Sequence, residues 1–341
     1  MKLEVRVHQI VLIEGDGIGP EVVNAAVAAI DATGVKIKWE PHALGLKALE
    51  QYKTPVPDST IEAIKRAGVA LKGPTTTPVG GGHKSANVAL RQALDLYACI
   101  RPVKSLPGVE TRFSDVDLII VRENTEGLYC GQEIQVSADC AISLRIMTEQ
   151  GCTRIAKAAF ELARTHGRKS VCAVHKANIL KLGDGLFLNA IRKVRESYPE
   201  LEYQEAIVDA LCMRMVSNPV SFDVLVSENM FGDILSDLTA GLVGGLGIVP
   251  GANIGDGCAV FEAVHGSAPD IAGLDLANPT AMMQTGVMLL NHIGEKAAAA
   301  RLSQGITQAL GEKSSKTKDL GGQASTTQFT HTVVNFIKGL G

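Results

Sequence analysis

Residues 5–31 read VRVHQIVLIEGDGIGPEVVNAAVAAID, and this stretch decides the fold class. Val5–Glu14 is apolar through its centre, as in a strand covered on both faces. Gly15, Gly17 and Gly19 make a turn, and Pro20 suits the first turn of a helix. The apolar residues that follow recur at helical spacing. Strand, glycine turn and helix form the opening unit of an α/β domain. The glycine pattern is G-x-G-x-G-P rather than the dinucleotide fingerprint, and no acidic residue follows at the right strand end. It therefore gives no support to a Rossmann domain.

The alternation continues outward. Val35–Glu40 has strand character, Pro57-Asp58-Ser59 caps a helix through Ile61–Arg66, and Val69–Lys72 is a short strand. Residues 71–102, LKGPTTTPVGGGHKSANVALRQALDLYACIRP, predict an extended loop, a helix around Val88–Leu94 and a strand ending at Arg101. Val116–Val121 is a very apolar strand that leads into RENTEG. Residues 132–146, QEIQVSADCAISLRI, alternate without a helical period and predict a two-stranded arm. Gly151–His166 is an amphipathic helix, Ser170–His175 a strand, Leu186–Ser197 a helix, Phe222–Ser227 a buried strand and Met230–Ala240 a helix. Leu238–Gly255 reads as a buried glycine-rich turn region. Met282–Ile293 and Ala297–Leu310 predict the closing helices. Such alternation implies a largely parallel sheet.

The chain has 341 residues, enough for about two domains. Apolar residues make up 46% and charged residues 20%, a globular composition that argues against disorder. Aromatics are only 4%, so the core must be aliphatic. A net charge of -3 offers no basic field for nucleic acid or an anionic membrane. No stretch reads as a membrane span, and residues 1–13 suit an opening strand better than a secretion signal. The seven cysteines are odd in number and lack a C-x-x-C, which implies reduced thiols in a cytoplasmic setting. Cys130 and Cys140 are the pair closest to disulfide spacing. Glycine, at 35 residues, exceeds the roughly 7% average, and much of it gathers in GDGIGPE, PVGGG, GLVGGLG and HGSAPDIAG.

Function in such sheets gathers at strand ends. Three predicted strands end in a cation, Arg101, Arg122 and Lys176, and Arg91 precedes Arg101 by ten residues. Together they suggest a pocket for a multiply charged carboxylate, because the guanidinium fork pairs two carboxylate oxygens. Asp233 and Asp237, in FGDILSD, share one helix face with Ile234, Leu235 and Leu238 around them. Two carboxylates so placed repel unless a cation bridges them, and hard oxygen donors imply Mg²⁺ or Mn²⁺ rather than zinc. The loop EAVHGSAPDIAG is a nucleotide candidate: its amides and Ser267 suit a pyrophosphate, and Asp270 suits ribose hydroxyls.

Taken in order, GDGIGPE, KGPTTTPVGGG, LRQALDLYACIRP, RENTEGLY, HKANILK, FGDILSDL and HGSAPDIAG resemble the β-decarboxylating dehydrogenases, the isocitrate and isopropylmalate dehydrogenase family, over essentially the whole chain. The resemblance implies an α/β/α sandwich of that family's type, not a Rossmann fold. It implies a large cofactor-side domain of residues 1–97 plus 247–341 and a small dimerisation domain of residues 98–246, with a clasp arm at about 128–148. The implied reaction is oxidation of a 2-hydroxy acid followed by loss of its β-carboxylate.

Residue by residue, the resemblance implies that Arg91, Arg101 and Arg122 grip the malate portion of the substrate. Asp233 and Asp237, with Asp209 of a partner subunit, would hold Mg²⁺ or Mn²⁺. Lys176, also from the partner, would accept the hydroxyl proton, its pKa depressed by burial or neighbouring cations. Tyr129 would return a proton to C3, with Lys176 lowering its pKa. Ser85 and Asn87 show the S-x-N pattern of the isocitrate enzymes, with Lys72 adding charge, where isopropylmalate enzymes carry apolar residues. A tricarboxylate, isocitrate, is therefore expected, with homoisocitrate and 3-isopropylmalate as alternatives and a non-catalytic regulatory subunit as the alternative of another class. Asp270-Ile271 and Asp319 match the NAD-type enzymes. Thr77, Glu262, His265, Gly266, Ser267, Ala268 and Asn278 complete the expected NAD site. Sharing Lys176 and Asp209 makes a homodimer the expected minimum assembly.

Overall fold

The computed structural model describes residues 6–78 and 85–340. The strands are β1 (His8–Ile13), β2 (Ile37–Pro41), β3 (Val69–Lys72), β4 (Ala98–Lys104), β5 (Asp117–Glu123), β6 (Glu133–Ser137), β7 (Cys140–Ser143), β8 (Ser170–His175), β9 (Glu202–Ile207), β10 (Val224–Ser227), β11 (Pro250–Ile254) and β12 (Ala259–Ala263). The helices are α1 (Gly19–Ala32), α2 (Leu46–Tyr52), α3 (Asp58–Ala67), α4 (Ala86–Ala93), α5 (Glu149–Thr165), α6 (Gly183–Arg195), α7 (Val208–Ser217), α8 (Asn229–Val243), α9 (Thr280–His292), α10 (Lys296–Gly311) and α11 (Thr326–Gly339). None of the described helices is long and apolar enough to cross a membrane.

Ten strands form one sheet in the order β2-β1-β3-β12-β11-β4-β5-β10-β8-β9. The block β2-β1-β3-β12 is parallel, and so is β5-β10-β8-β9. Between them the three joints β12/β11, β11/β4 and β4/β5 are antiparallel. Three reversals make the two parallel blocks run in opposite directions. The central strands β11 and β4 therefore bring loops from both blocks to one cleft, which a single doubly wound sheet does not do.

Helices cover both faces, as period-two alternation requires. In the first block Ile10, Leu71 and Phe261 face α1, α9, α10 and α11, while Val11, Ile13, Ala70 and Val260 face α3 and α4. In the second, Ile119, Val121 and Ala173 meet Phe160 and Phe187, while Leu118, Ile120 and Val174 meet Leu211 and Leu235. The result is an α/β/α sandwich with no closed barrel. The strands β6 and β7 pair only with each other and stand out as an exposed two-stranded arm.

Several expectations need correction. β4 does not end at Arg101 but runs to Lys104 through Pro102. β11 pairs with β4 only at Ala98–Ile100, so that flank carries no ladder at Pro102, where a proline is tolerated. Leu238–Gly255 is not only a turn region: it ends α8 and then forms β11. The chain closes not on α10 but on α11, whose Ser325 and Gln328 form a reciprocal capping box. Ile234 does not pack around the two aspartates; it is 54% exposed, while Leu235 is buried. The glycines of PVGGG at 80–82 lie outside the described residues. All seven cysteines, Cys130 and Cys140 included, are free.

Candidate active site

The glycine motif after β1 is a junction between loops. Gly17 has φ +59°, and a Cβ there would lie 1.9 Å from the Ser267 carbonyl oxygen. Ile18 N–H donates to that same oxygen at 2.8 Å. Buried Asp16 accepts from the backbone N–H of Thr76 at 2.8 Å and of Leu46 at 2.9 Å. The Thr76 and Ser267 hydroxyls meet at 2.7 Å. The motif thus fixes the loop after β3 and the HGSAPDIAG loop against each other, and both of these border the cleft.

The cleft has a volume of about 220 Å³. Ser85, Asn87, Arg91, Arg101, Arg122, Tyr129, Asp233, Glu262, His265 and Gly266 all line it, so the three expected substrate arginines, the tyrosine and one of the expected metal aspartates converge. They come from both ends of α4, the middle of β4, the end of β5, the turn before the arm, α8, and the end of β12 with the loop that follows it.

Arg122 is buried and ion-paired to Asp233, and Asn229 Oδ1 accepts from its Nε at 3.0 Å and Nη2 at 2.7 Å. Burial pushes the Arg122 pKa down, and the cations Arg101 and Arg91 push it further the same way. Arg101 approaches Asp233 at 3.5 Å. Burial would raise the Asp233 pKa, but Arg122, the Tyr129 hydroxyl and Arg101 outweigh it and hold the carboxyl below the ordinary range. Tyr129 donates to Asp233, and its ring lies under the Arg122 guanidinium at 5.0 Å. Burial raises the Tyr129 pKa, and Asp233 raises it further. Within one chain the phenol meets the Asp233 carboxylate and the Arg122 guanidinium.

Lys72 does not line the cleft. It is buried behind Glu262, with Nζ to Oε2 at 2.6 Å. Arg91 holds the other oxygen of Glu262 at 2.8 Å, which also accepts from Asn253 at 2.7 Å. Burial opposes ionisation of Glu262, but Lys72 and Arg91 overcome it and push its pKa far down. Ser85 is the N-cap of α4, accepting from Val88 N–H at 3.4 Å. The amide oxygen of Asn87 accepts from the Thr75 hydroxyl at 2.9 Å.

The expected nucleotide residues surround the same loop. Ala268 has φ +36°, a strained value for a residue with a Cβ. Asp270 and Ile271 sit on the following turn, with Asp270 exposed. Buried Asn278 donates to Asp319 at 2.8 Å, which joins two residues distant in sequence. Burial lowers the His265 pKa, so it is neutral near pH 7, and its Nε2 is buried without a partner. Thr77 is exposed on the loop after β3.

Lys176 and Asp209 are not in the lining. They pair with each other at 2.6 Å, and the Asp209 side chain is 68% exposed. Hydrogen bonding from Lys176 lowers the Asp209 pKa. Within its own chain Lys176 is partly exposed and bound to the Asp209 carboxylate. Asp237 lies one turn beyond Asp233. Burial and then Asp233 raise its pKa, against Arg101.

The donor set fits a hard divalent cation. Asp233 and Asp237 supply oxygens from one helix face, and Asp209 is open to approach from outside the chain. No group of three acidic, histidine or cysteine side chains able to hold a metal occurs among the described residues. Asn229 and Asn253 escaped the sequence reading. Asn229 had a usable signal, because 229, 233 and 237 are four apart on one helical face. Asn253, in the small-residue stretch GANIGDG, had none.

The chain matches the family model described as isocitrate/isopropylmalate dehydrogenase over residues 9–333. It is 49% identical to the mitochondrial NAD-dependent isocitrate dehydrogenase catalytic subunit 5 of Arabidopsis thaliana, over 96% of this chain and 87% of that protein. It is also 49% identical to the chloroplastic 3-isopropylmalate dehydrogenase of Solanum tuberosum, over 88% of this chain and 84% of that protein. The crystal structure of isocitrate dehydrogenase from Methylococcus capsulatus superposes with a TM-score of 0.95 at 50% identity, covering 97% of this chain and 99% of that one.

Proposed function

This chain belongs to the isocitrate/isopropylmalate dehydrogenase family, and from that premise we propose that it is an NAD-dependent isocitrate dehydrogenase working as a homodimer with shared sites. The observation that carries the substrate choice is the polar wall made by Ser85 and Asn87 beside Arg91. Thr75 holds the amide oxygen of Asn87, so donation from its amide nitrogen is what Asn87 offers a carboxylate. An isopropyl group against that wall would leave a hydroxyl and an amide desolvated and unpaired, at about 1–3 kcal/mol each.

In this reading the two units, residues 1–97 with 247–341 and residues 98–246, close on isocitrate. Arg91, Arg101 and Arg122 bind its carboxylates, and Asn229 keeps the Arg122 fork aimed. Asp233, Asp237 and Asp209 of a second copy hold Mg²⁺ or Mn²⁺. When bound, the divalent cation supplies Lewis-acid polarisation of the substrate oxygens and NAD supplies the two-electron oxidant. Lys176 of the second copy accepts the hydroxyl proton. The carboxylate on C3 leaves as CO₂ and its bonding pair stays with the substrate, where Tyr129 donates a proton to C3. A phenol keeps that proton near pH 7, since its ordinary pKa is about 10. Asp270 accepts from the adenosine ribose and repels a 2′-phosphate.

The second copy fits the exposed apolar side chains of Ile134, Val136, Ile142 and Leu144 on the arm and of Leu182 and Ile234 nearby. The test is a steady-state assay of the purified protein with Mn²⁺ against isocitrate, homoisocitrate and 3-isopropylmalate, with NAD and NADP. Isocitrate with NAD should give the highest kcat/KM. Preference for 3-isopropylmalate, binding of isocitrate without turnover, or equal efficiency with NADP would each reject the corresponding part.

A further inference from the structure

A second charged cluster lies outside the cleft, at the root of the arm. Arg145 follows β7, just before Ile146 bridges back to Gly127, and its side chain is almost sealed from solvent. Its Nη1 pairs with Asp184 at 2.6 Å, and its Nη2 lies 3.4 Å from Glu228 Oε2. Asp184 is 1% exposed and Glu228 2%. The guanidinium also stacks over Phe231 at 5.4 Å from the ring centre.

Each acid holds one of the two segments that matter for the proposed chemistry. The second oxygen of Asp184 accepts from the backbone N–H of Lys176 at 2.5 Å. Glu228 is the N-cap of α8, accepting from Phe231 N–H at 2.7 Å, and α8 carries Asp233 and Asp237. β8 and β10 are adjacent, so the Lys176 turn and the start of α8 emerge side by side. Arg145 is the cation between their two anchors. A buried cation in this place is costly unless both acids hold it, and both acids lose their counter-charge without it.

We propose that Arg145 is a positioning residue, a tether that sets the Lys176 turn and the N-terminus of α8 against each other. It rests on the reading that Lys176 serves a second copy's site while α8 serves its own. On that reading, one side chain under the arm fixes the contribution of each chain to both active sites of the dimer.

The test compares the full-length wild-type protein with Arg145→Met and Arg145→Lys. Hydrogen exchange on the metal-free protein should quicken about tenfold or more in both 176–184 and 228–235 of Arg145→Met, while 8–32 stays unchanged. kcat on isocitrate should fall about tenfold with KM within about twofold, because misplacement of reacting groups acts on the transition state. Arg145→Lys should recover part of both effects by restoring the charge. Quickened exchange in one segment alone, in neither, or evenly along the chain would overturn the tether. So would an unchanged kcat in an active wild type, or a lysine variant no better than methionine. If the wild type does not turn over isocitrate, the proposed activity fails, and the exchange comparison still decides the tether.

Discussion

Two ion-pair sites carry residues expected to work together, and they are built in opposite ways. The cluster of Lys72, Glu262 and Arg91 is buried, its distances are short, and Asn253 completes it. The pair of Lys176 and Asp209 lies at the surface, with Asp209 largely in solvent. The first is finished inside one chain and holds the cleft's wall in place. The second is an exposed acid–base pair outside the cleft, and on the proposed reading it serves a neighbouring copy. Energetics follow burial: breaking the first leaves uncompensated buried charges, while breaking the second costs the fold little.

The contrast breaks most easily at Lys176. Lys176→Met should lower kcat on isocitrate by about 10²–10⁴-fold and leave the melting temperature where it is. Mixed dimers of Lys176→Met with Asp233→Asn chains should regain activity that neither parent has, since one complete site then forms. Failure of subunit exchange to restore any activity would mean that the open pair is not shared.

Glu262→Gln should cost about 3–5 kcal/mol at pH 7 by urea unfolding, and the difference should shrink in acid. The sign follows from the depressed Glu262 pKa: its ion pairs stabilise fully above the ordinary glutamate range, and that stability is lost as pH falls from about 4 downward. A difference that grows in acid would show that the cluster is not ionised. Gly17→Ala tests the junction that supports the finished site. With φ +59° and a carbonyl oxygen in the way, it should cost about 2–3 kcal/mol and raise KM for NAD through the displaced 264–272 loop.

Legibility tracked local pattern. β1, α1, β3, α5 and α8 stand out because each alternates or repeats against a buried face. α2 is only seven residues long, too short to show a period. α7 buries just Leu211 and Met215 and leaves Met213 and Val216 exposed, so its pattern is blurred. β9 is an edge strand bearing Glu202 and Glu205, and its charges hide the alternation. α11 is rich in threonine and valine, yet its capping box was readable in Ser325 and Gln328. At the site, the motifs named Arg91, Arg101, Arg122, Asp233 and Tyr129, and these do meet. They gave no warning that Lys72 would be spent on Glu262, or that Asp233 would be held by Arg122 and Tyr129.

By itself the sequence determined the α/β class, the family, and the inventory of charged groups, because these depend on residue type and near spacing. Only the tertiary structure decided which charges meet. The three antiparallel joints set two parallel blocks head to tail, and that arrangement brings Arg91, Arg122 and Glu262 together from positions 91, 122 and 262. Such contacts depend on sheet order and on the direction of each strand, which no local spacing encodes. The same order leaves Lys176 and Asp209 outside the cleft that one chain can build.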